Sequence, residues 1–146
     1  MCIFCRITTG ELTAKIVFED DVSIAFLDHR PLFPGHCLLV PKQHFEVLSD
    51  LPDDLIGPFF FNVKTLARAV EAALSAEGSF VALNNRVSQS VPHLHVHIVP
   101  RRKKDGLRGF FWPRQKYESA VHMEEIQAAI RLAIADLLKN MKEDLS

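Results

Sequence analysis

The segment Pro92-His93-Leu94-His95-Val96-His97-Ile98-Val99-Pro100 constrains this chain more than any other. Three histidines alternate with aliphatic residues, and a proline stands at each end. Alternation with period two marks a strand with one face buried. Leu94, Val96 and Ile98 then enter a core, and His93, His95 and His97 line the opposite face. Side chains two residues apart on a strand are about 6.6 Å apart, so the row of imidazoles spans about 13 Å. Two neighbours can share one metal ion, but three in a row cannot grip it together. At least one imidazole is left for other work. Imidazole is the side chain best able to act as nucleophile, acid–base group or ligand near neutral pH. A single strand histidine is ordinarily a surface or satisfied core residue; a whole face of them is not explained that way.

The rest of the chain reads as elements that could surround such a strand. Residues 15–19 and 22–27 are short apolar runs about a Glu19-Asp20-Asp21 turn, which predicts two strands. Residues 28–35 contain Pro31 and Pro34 and read as a loop. A strand over 36–41 follows, with Cys37 as a small buried hydrophobe and no task apparent for His36. From Asp53 to about Leu74 the spacing turns helical, with Leu55, Phe59, Val63, Leu66, Val70 and Leu74 on one face. Pro58 is expected only in a first turn, which leaves the start open by several residues. Residues 79–83 predict a strand. A helix over 122–141 carries Ile126, Ile130, Ile134, Leu137 and Met141 as its stripe, with 142–146 as a frayed tail. This order implies an α+β fold: a mainly antiparallel sheet of about five strands, a long central helix and a C-terminal helix, all in one domain over 1–146.

Bulk properties narrow the partners. A formal net charge of −1 argues against a nucleic-acid polymer held by its backbone charge. No apolar run reaches transmembrane length, and no basic-then-apolar leader is visible, so no membrane partner is expected. Three cysteines, an odd number, do not form a disulfide framework, and a reducing, cytoplasmic setting is the economical expectation. Cys2-Ile3-Phe4-Cys5 reads as half of a zinc site or as a redox pair. A redox pair of the thioredoxin kind would follow a strand and open a helix, and nothing precedes this one. Asn84, Gln89, Ser90 and the backbone amides around Val91 are polar groups that could grip a phosphate. Ser88 and Ser90 lack the turn context of a nucleophilic serine. A catalytic metal on His95 and His97 would need a third ligand that the strand itself does not supply. Arg101-Arg102-Lys103-Lys104 is a solvated turn or an attractor for anions.

Taken together, several motifs in order resemble the histidine triad (HIT) family of nucleotide hydrolases and transferases. They are the triad, Ala25-Phe26-Leu27-Asp28, Pro34-Gly35-His36, Leu38-Leu39-Val40-Pro41-Lys42-Gln43-His44, Gln89-Ser90-Val91 and Trp112-Pro113. The resemblance spans roughly residues 2–115. It implies a structural Zn2+ held by Cys2, Cys5, His44 and His93. It implies His95 as the nucleophile towards an α-phosphate and His97 as its partner on the phosphate oxygens. It makes Asp28 the acceptor for ribose hydroxyls, a role suited to an acceptor-only carboxylate. Ile3, Phe4, Ile7 and Leu12 are candidates for the base pocket. The resemblance further implies a homodimer and a purine nucleotide substrate, with phosphoramidate hydrolysis as the expected reaction. Dinucleoside polyphosphate hydrolysis is one alternative, and a zinc-stapled nucleotide sensor without turnover is another. Many members carry a longer, glycine-rich loop ending in Gly-Gln before the triad. Here Arg86-Val87 and Ser88-Gln89 stand instead.

Overall fold

The computed structural model describes residues 2–107 and 114–146. The elements are α1 (Ile3–Thr8), β1 (Ile16–Glu19), β2 (Ser23–Leu27), β3 (Cys37–Pro41), α2 (Asp53–Ala73), β4 (Gly78–Ala82), β5 (Val96–Arg101) and α3 (Ala120–Asp144). The strands form one antiparallel sheet in the order β1-β2-β3-β5-β4. The α+β class and the five strands are as expected from the sequence.

The sheet buries both faces over most of its width, and its alternation sorts side chains between them. Ala25, Cys37, Leu39, Val96 and Ile98 pack with Phe59, Val63, Leu66 and Val70 of α2. Ile24, Phe26, Leu38 and Val40 point the other way and pack with Phe4 and Ile7 of α1. Leu94, Val96 and Ile98 are all but inaccessible, as the period-two pattern requires. The ladder, however, begins only at Val96, opposite Leu39. His93, Leu94 and His95 run ahead of the strand, and the Leu94 N–H donates to the Phe45 carbonyl at 2.6 Å. Pro100 falls inside β5, past the last β3 pairing at Cys37–Ile98, where only β4 remains alongside.

The central helix has the bounds the spacing predicts, but its proline sits elsewhere than expected, and one helix is new. α2 starts at Asp53 with Pro58 as its sixth residue, so the proline sits in the second turn and not the first. Asp54, whose carbonyl loses its donor, and Pro58 are both exposed, so water can take the place of the missing bond. α1 was not expected at all. Its Cys2 side chain caps it by accepting from the Cys5 N–H, and Phe4 and Ile7 bury against the sheet.

A buried polar tie joins α2 to the first hairpin. Asn62 donates to Asp20 Oδ2 at 2.7 Å and to Ser23 Oγ at 2.8 Å. Burial pushes the Asp20 carboxyl up, but the Ser23 and Val22 N–H groups and Asn62 more than offset it, and its pKa is lowered overall. Asn62→Ala leaves these acceptors without their donor in a buried place. We expect a loss of about 1–3 kcal/mol in urea unfolding, with the nucleotide site unaffected.

The chain resolves into two compact units, Met1–Gly106 and Leu107–Ser146. The second carries α3, capped by the Ser119 side chain on the His122 N–H. The expected frayed tail over 142–146 is helical as far as Asp144. Among the described residues no helix is long and apolar enough to cross a membrane.

Candidate functional site

Everything in this subsection lies within the first unit. Its centre is the run His93-Leu94-His95-Val96-His97, and the three imidazoles separate into two sites.

His93 turns towards the N-terminus. Cys2, Cys5, His44 and His93 bring one ligand atom each into a common cluster. The two sulfurs are 3.1 Å apart and the two Nδ1 atoms 3.2 Å apart. The four sulfur–nitrogen distances run from 3.2 to 3.6 Å. Six edges so alike describe a nearly regular tetrahedron. Its centre lies about 2.0 Å from each corner, which matches zinc–nitrogen bonds and falls a little short of zinc–sulfur ones. The His93 Nε2 meets the Pro41 carbonyl at 2.9 Å, so that nitrogen carries the proton and Nδ1 keeps its lone pair for a metal. The donor set, its shape and its tautomer all fit zinc. With four protein ligands the site is closed, and a metal there would supply structure and no open position for substrate. Burial, with the neighbouring Cys2, pushes the Cys5 thiol up to about 11, so metal uptake would have to release its proton.

His95 and His97 line a cavity of about 500 Å³. That size suits a small-molecule site. Ile3, Phe4, Ile7, Leu12, Asp28, Ser90 and Val91, all singled out in the sequence, line it with them. Asn84 and Gln89 do not line it. The Asn84 amide donates to the Ser88 carbonyl at 3.2 Å. Gln89 accepts from the Arg86 N–H at 2.8 Å and donates to the Glu46 carbonyl at 2.6 Å. Both amides brace their own loop. Arg86 and Ser88 stand in the left-handed region, φ 67° and 60°, and this bracing holds them there. The Arg102 guanidinium of the basic run bonds the Leu74 and Ser75 carbonyls at the end of α2, and Arg101 pairs with Asp105. Trp112 and Pro113 lie outside the described residues.

Hydrogen-bond partners assign the protons in the cavity. His95 Nδ1 lies 2.7 Å from the His93 carbonyl, an acceptor only, so Nδ1 carries a hydrogen, and in the neutral ring Nε2 is the lone pair. For His97 the assignment runs through His36, a residue with no task apparent from the sequence. The Leu32 N–H donates to His36 Nδ1 at 3.1 Å, so the hydrogen of neutral His36 sits on Nε2. That nitrogen is 3.0 Å from His97 Nδ1, which therefore accepts and leaves its own hydrogen on Nε2. The cavity thus holds one bare nitrogen and one N–H donor on adjacent inward positions. Asp28 Oδ2 lies 3.7 Å from His36 Nε2, and its Oδ1 accepts from the Arg30 N–H. Asp28, His36 and His97 form a second cluster able to hold a metal ion, but the His36–His97 hydrogen bond already accounts for it.

The approach of His36 depends on its neighbour. Gly35 has φ 98°, and a Cβ there would lie 2.0 Å from a Leu74 methyl. Any other residue there is strained by that φ and must displace the Leu74 side chain. His36 then enters on the same face as Leu38, two residues along from the Leu38–His97 pair, which is the diagonal contact across β3 and β5.

Burial lowers the His36 pKa, with Asp28 pulling partly against it. His97 is pushed down to about 4 by burial and by the neighbouring His95 and His36, again against Asp28. Both are therefore neutral in the folded protein near pH 7, as the proton assignment requires. The sign for stability follows. The unfolded chain takes up these protons below about pH 6.5, and the folded chain does so only near pH 4 for His97. For His97 the contribution is full above about pH 6.5 and is lost progressively down to about pH 4, and that of His36 is lost in the same direction. Urea midpoints should fall across that window in the wild type and fall less steeply in His97→Gln.

Comparison with known proteins agrees with this architecture. The model of the HIT domain matches residues 9–104. An uncharacterised HIT-like protein of Methanocaldococcus jannaschii is 44% identical over 108 residues, covering 73% of this chain and 83% of that one. The adenosine 5'-monophosphoramidase of Saccharomyces cerevisiae is 36% identical over 118 residues, covering 79% and 72%. The adenylylsulfatase of Arabidopsis thaliana is 32% identical over 108 residues, covering 73% of this chain and 55% of that protein. Among solved structures, a HIT-family protein of Bacillus subtilis superposes with a TM-score of 0.80 at 33% identity, over 89% of this chain and 94% of that one. A zinc-bound histidine triad protein of Mycobacterium smegmatis gives 0.69 at 31% identity, over 92% and 96%. With the domain matched over most of its length and its fold shared with these structures, the chain belongs to the HIT family.

Proposed function

We propose that this chain is a nucleotide hydrolase that attacks the α-phosphate of a purine nucleoside phosphate derivative through His95, and that a nucleoside phosphoramidate is its preferred class of substrate. The observation that carries the reading is the 2.7 Å contact of His95 Nδ1 with the His93 carbonyl, which in the neutral ring leaves Nε2 as the lone pair, on a side chain that lines the same cavity as His97. The yeast and plant relatives, named for adenosine 5'-monophosphoramidate and adenylyl sulfate, support an adenylyl group as the part recognised.

The apolar end of the cavity, with Ile3, Phe4 and Ile7, takes the base, and Asp28 takes the ribose hydroxyls. Ser90 and the backbone near Val91 bind phosphate oxygens in place of the committed Asn84 and Gln89 amides. His95 Nε2 attacks phosphorus as the P–N bond breaks, and the leaving nitrogen takes a proton from solvent and departs as the amine. The cationic imidazole that results keeps its Nδ1–H on the His93 carbonyl, which stabilises it. His97 Nε2–H donates to a phosphate oxygen as charge builds. Water then displaces the imidazole and releases the nucleotide. Zinc at Cys2, Cys5, His44 and His93 takes no part in these steps and ties the N-terminal residues to the triad segment. Two copies are proposed to pair, for which sedimentation velocity is the test.

Intact-protein mass spectrometry after rapid mixing with adenosine 5'-phosphoramidate tests the reading. One adenylyl group per chain, together with released AMP, is the expected result. Neither adduct nor AMP, with this substrate, adenylyl sulfate or a diadenosine polyphosphate, would sink it. AMP released only from the dinucleotide would move the activity to the alternative substrate class.

A further inference from the structure

We propose that the Cys2–Cys5–His44–His93 centre positions the nucleotide cavity: by fixing α1 it fixes, through Phe4, both the cavity wall and the ring of His95. The inference rests on the nucleotide reading above and on zinc as the metal.

α1 is six residues long, far too short to persist by its own hydrogen bonds. It is held from two sides. Cys2, its cap, and Cys5 sit in the metal cluster. Phe4 and Ile7 bury against the sheet and, with Ile3, line the cavity. The Phe4 ring is the shared piece. Its centroid lies 5.4 Å from Phe26, 5.9 Å from His93 and 5.2 Å from His95, edge-on to each. One short helix thus carries metal ligands on one side and the wall against the nucleophile on the other. His93 repeats the arrangement in the main chain, since its ring belongs to the metal cluster and its carbonyl holds the His95 proton.

Without a metal, two thiols and two imidazoles crowd within 3.6 Å of one another, and α1 keeps only its two apolar anchors. Part of the population then has α1 detached and the cavity wall missing. Nucleotide affinity falls by the fraction that remains competent. By linkage, nucleotide must tighten zinc by the same factor. Cys2 and Cys5 are positioning residues in this account, acting through Phe4.

The test uses the full chain under reducing conditions, with AMP as the probe and calorimetry as the readout. Removing zinc with a chelator should weaken AMP binding about tenfold or more, with the far-ultraviolet circular dichroism of the sheet retained. Competition with a chromophoric chelator should show zinc bound tighter by the same factor when AMP is saturating. Phe4→Ala should still take up one zinc per chain while the factor falls towards one, and Phe4→Leu should restore part of it. Equal AMP affinity with and without zinc overturns the inference and leaves the nucleotide reading standing. Loss of the sheet signal on chelation also overturns it, because the metal would then support the whole fold. No zinc uptake overturns it together with the zinc centre alone. No AMP binding in either form removes the nucleotide reading, and this inference with it.

Discussion

His95→Asn should lose turnover by at least about 10³-fold, while AMP binds within a few-fold of the wild type. Asparagine can place an amide N–H where His95 Nδ1–H meets the His93 carbonyl, so the buried hydrogen bond survives. What disappears is Nε2, the only part of the ring assigned to phosphorus. The nearby cavity groups, Asp28, Ser90 and His97, are untouched, so binding persists. Steady-state release of AMP and calorimetry of AMP binding on the same preparation separate the two effects. Turnover within tenfold of wild type would exclude His95 as the nucleophile, and the adenylyl adduct would then be sought on His97.

The second large effect is expected at a residue that touches no substrate. His36→Leu keeps the volume of a 3%-exposed side chain but removes the N–H that sets the His97 tautomer. His97 is then free to carry its hydrogen on Nδ1, which takes the donor away from the phosphate. We expect kcat to fall by about 10²-fold, with KM nearly unchanged. His36→Gln can supply an N–H in nearly the same place and should recover part of the loss. A loss in KM with kcat intact would show that His36 shapes the cavity and does not act through His97. Unchanged kcat and KM would remove it from the site.

The two residues illustrate what could and could not be read from the chain alone. The triad is legible because its signal is local: alternation at period two and a clean division of three aliphatic from three polar residues. Even so, the ladder starts three residues later than the pattern, because strand assignment needs a partner and β3 first pairs at Leu39–Val96. His36 belongs to one of the motifs of the resemblance, but its role gave no signal. Its meaning comes from a diagonal contact between residues 61 apart, and no spacing in the sequence encodes that register. α1 is invisible for a similar reason, since six residues without a polar cap are made helical by the Cys2 sulfur and by burial of Phe4 and Ile7. Asn84 and Gln89 have the right chemistry for phosphate, but non-glycine residues in the left-handed region need bracing, and those amides provide it.

The near-regular tetrahedron has a consequence for how the molecule assembles. Its corners come from both ends of a long contour, with Cys2 and His44 42 positions apart in sequence and Cys2 and His93 91 apart. An unfolded chain offers a metal only the adjacent cysteines, and the imidazoles arrive once β3 and the triad segment have docked. Four-ligand affinity therefore appears late, after the slow long-range pairing is complete. A metal bound this way acts like a latch. It does not speed the search for the fold but holds the finished fold shut, and it slows the first opening of the N-terminus when the protein unfolds.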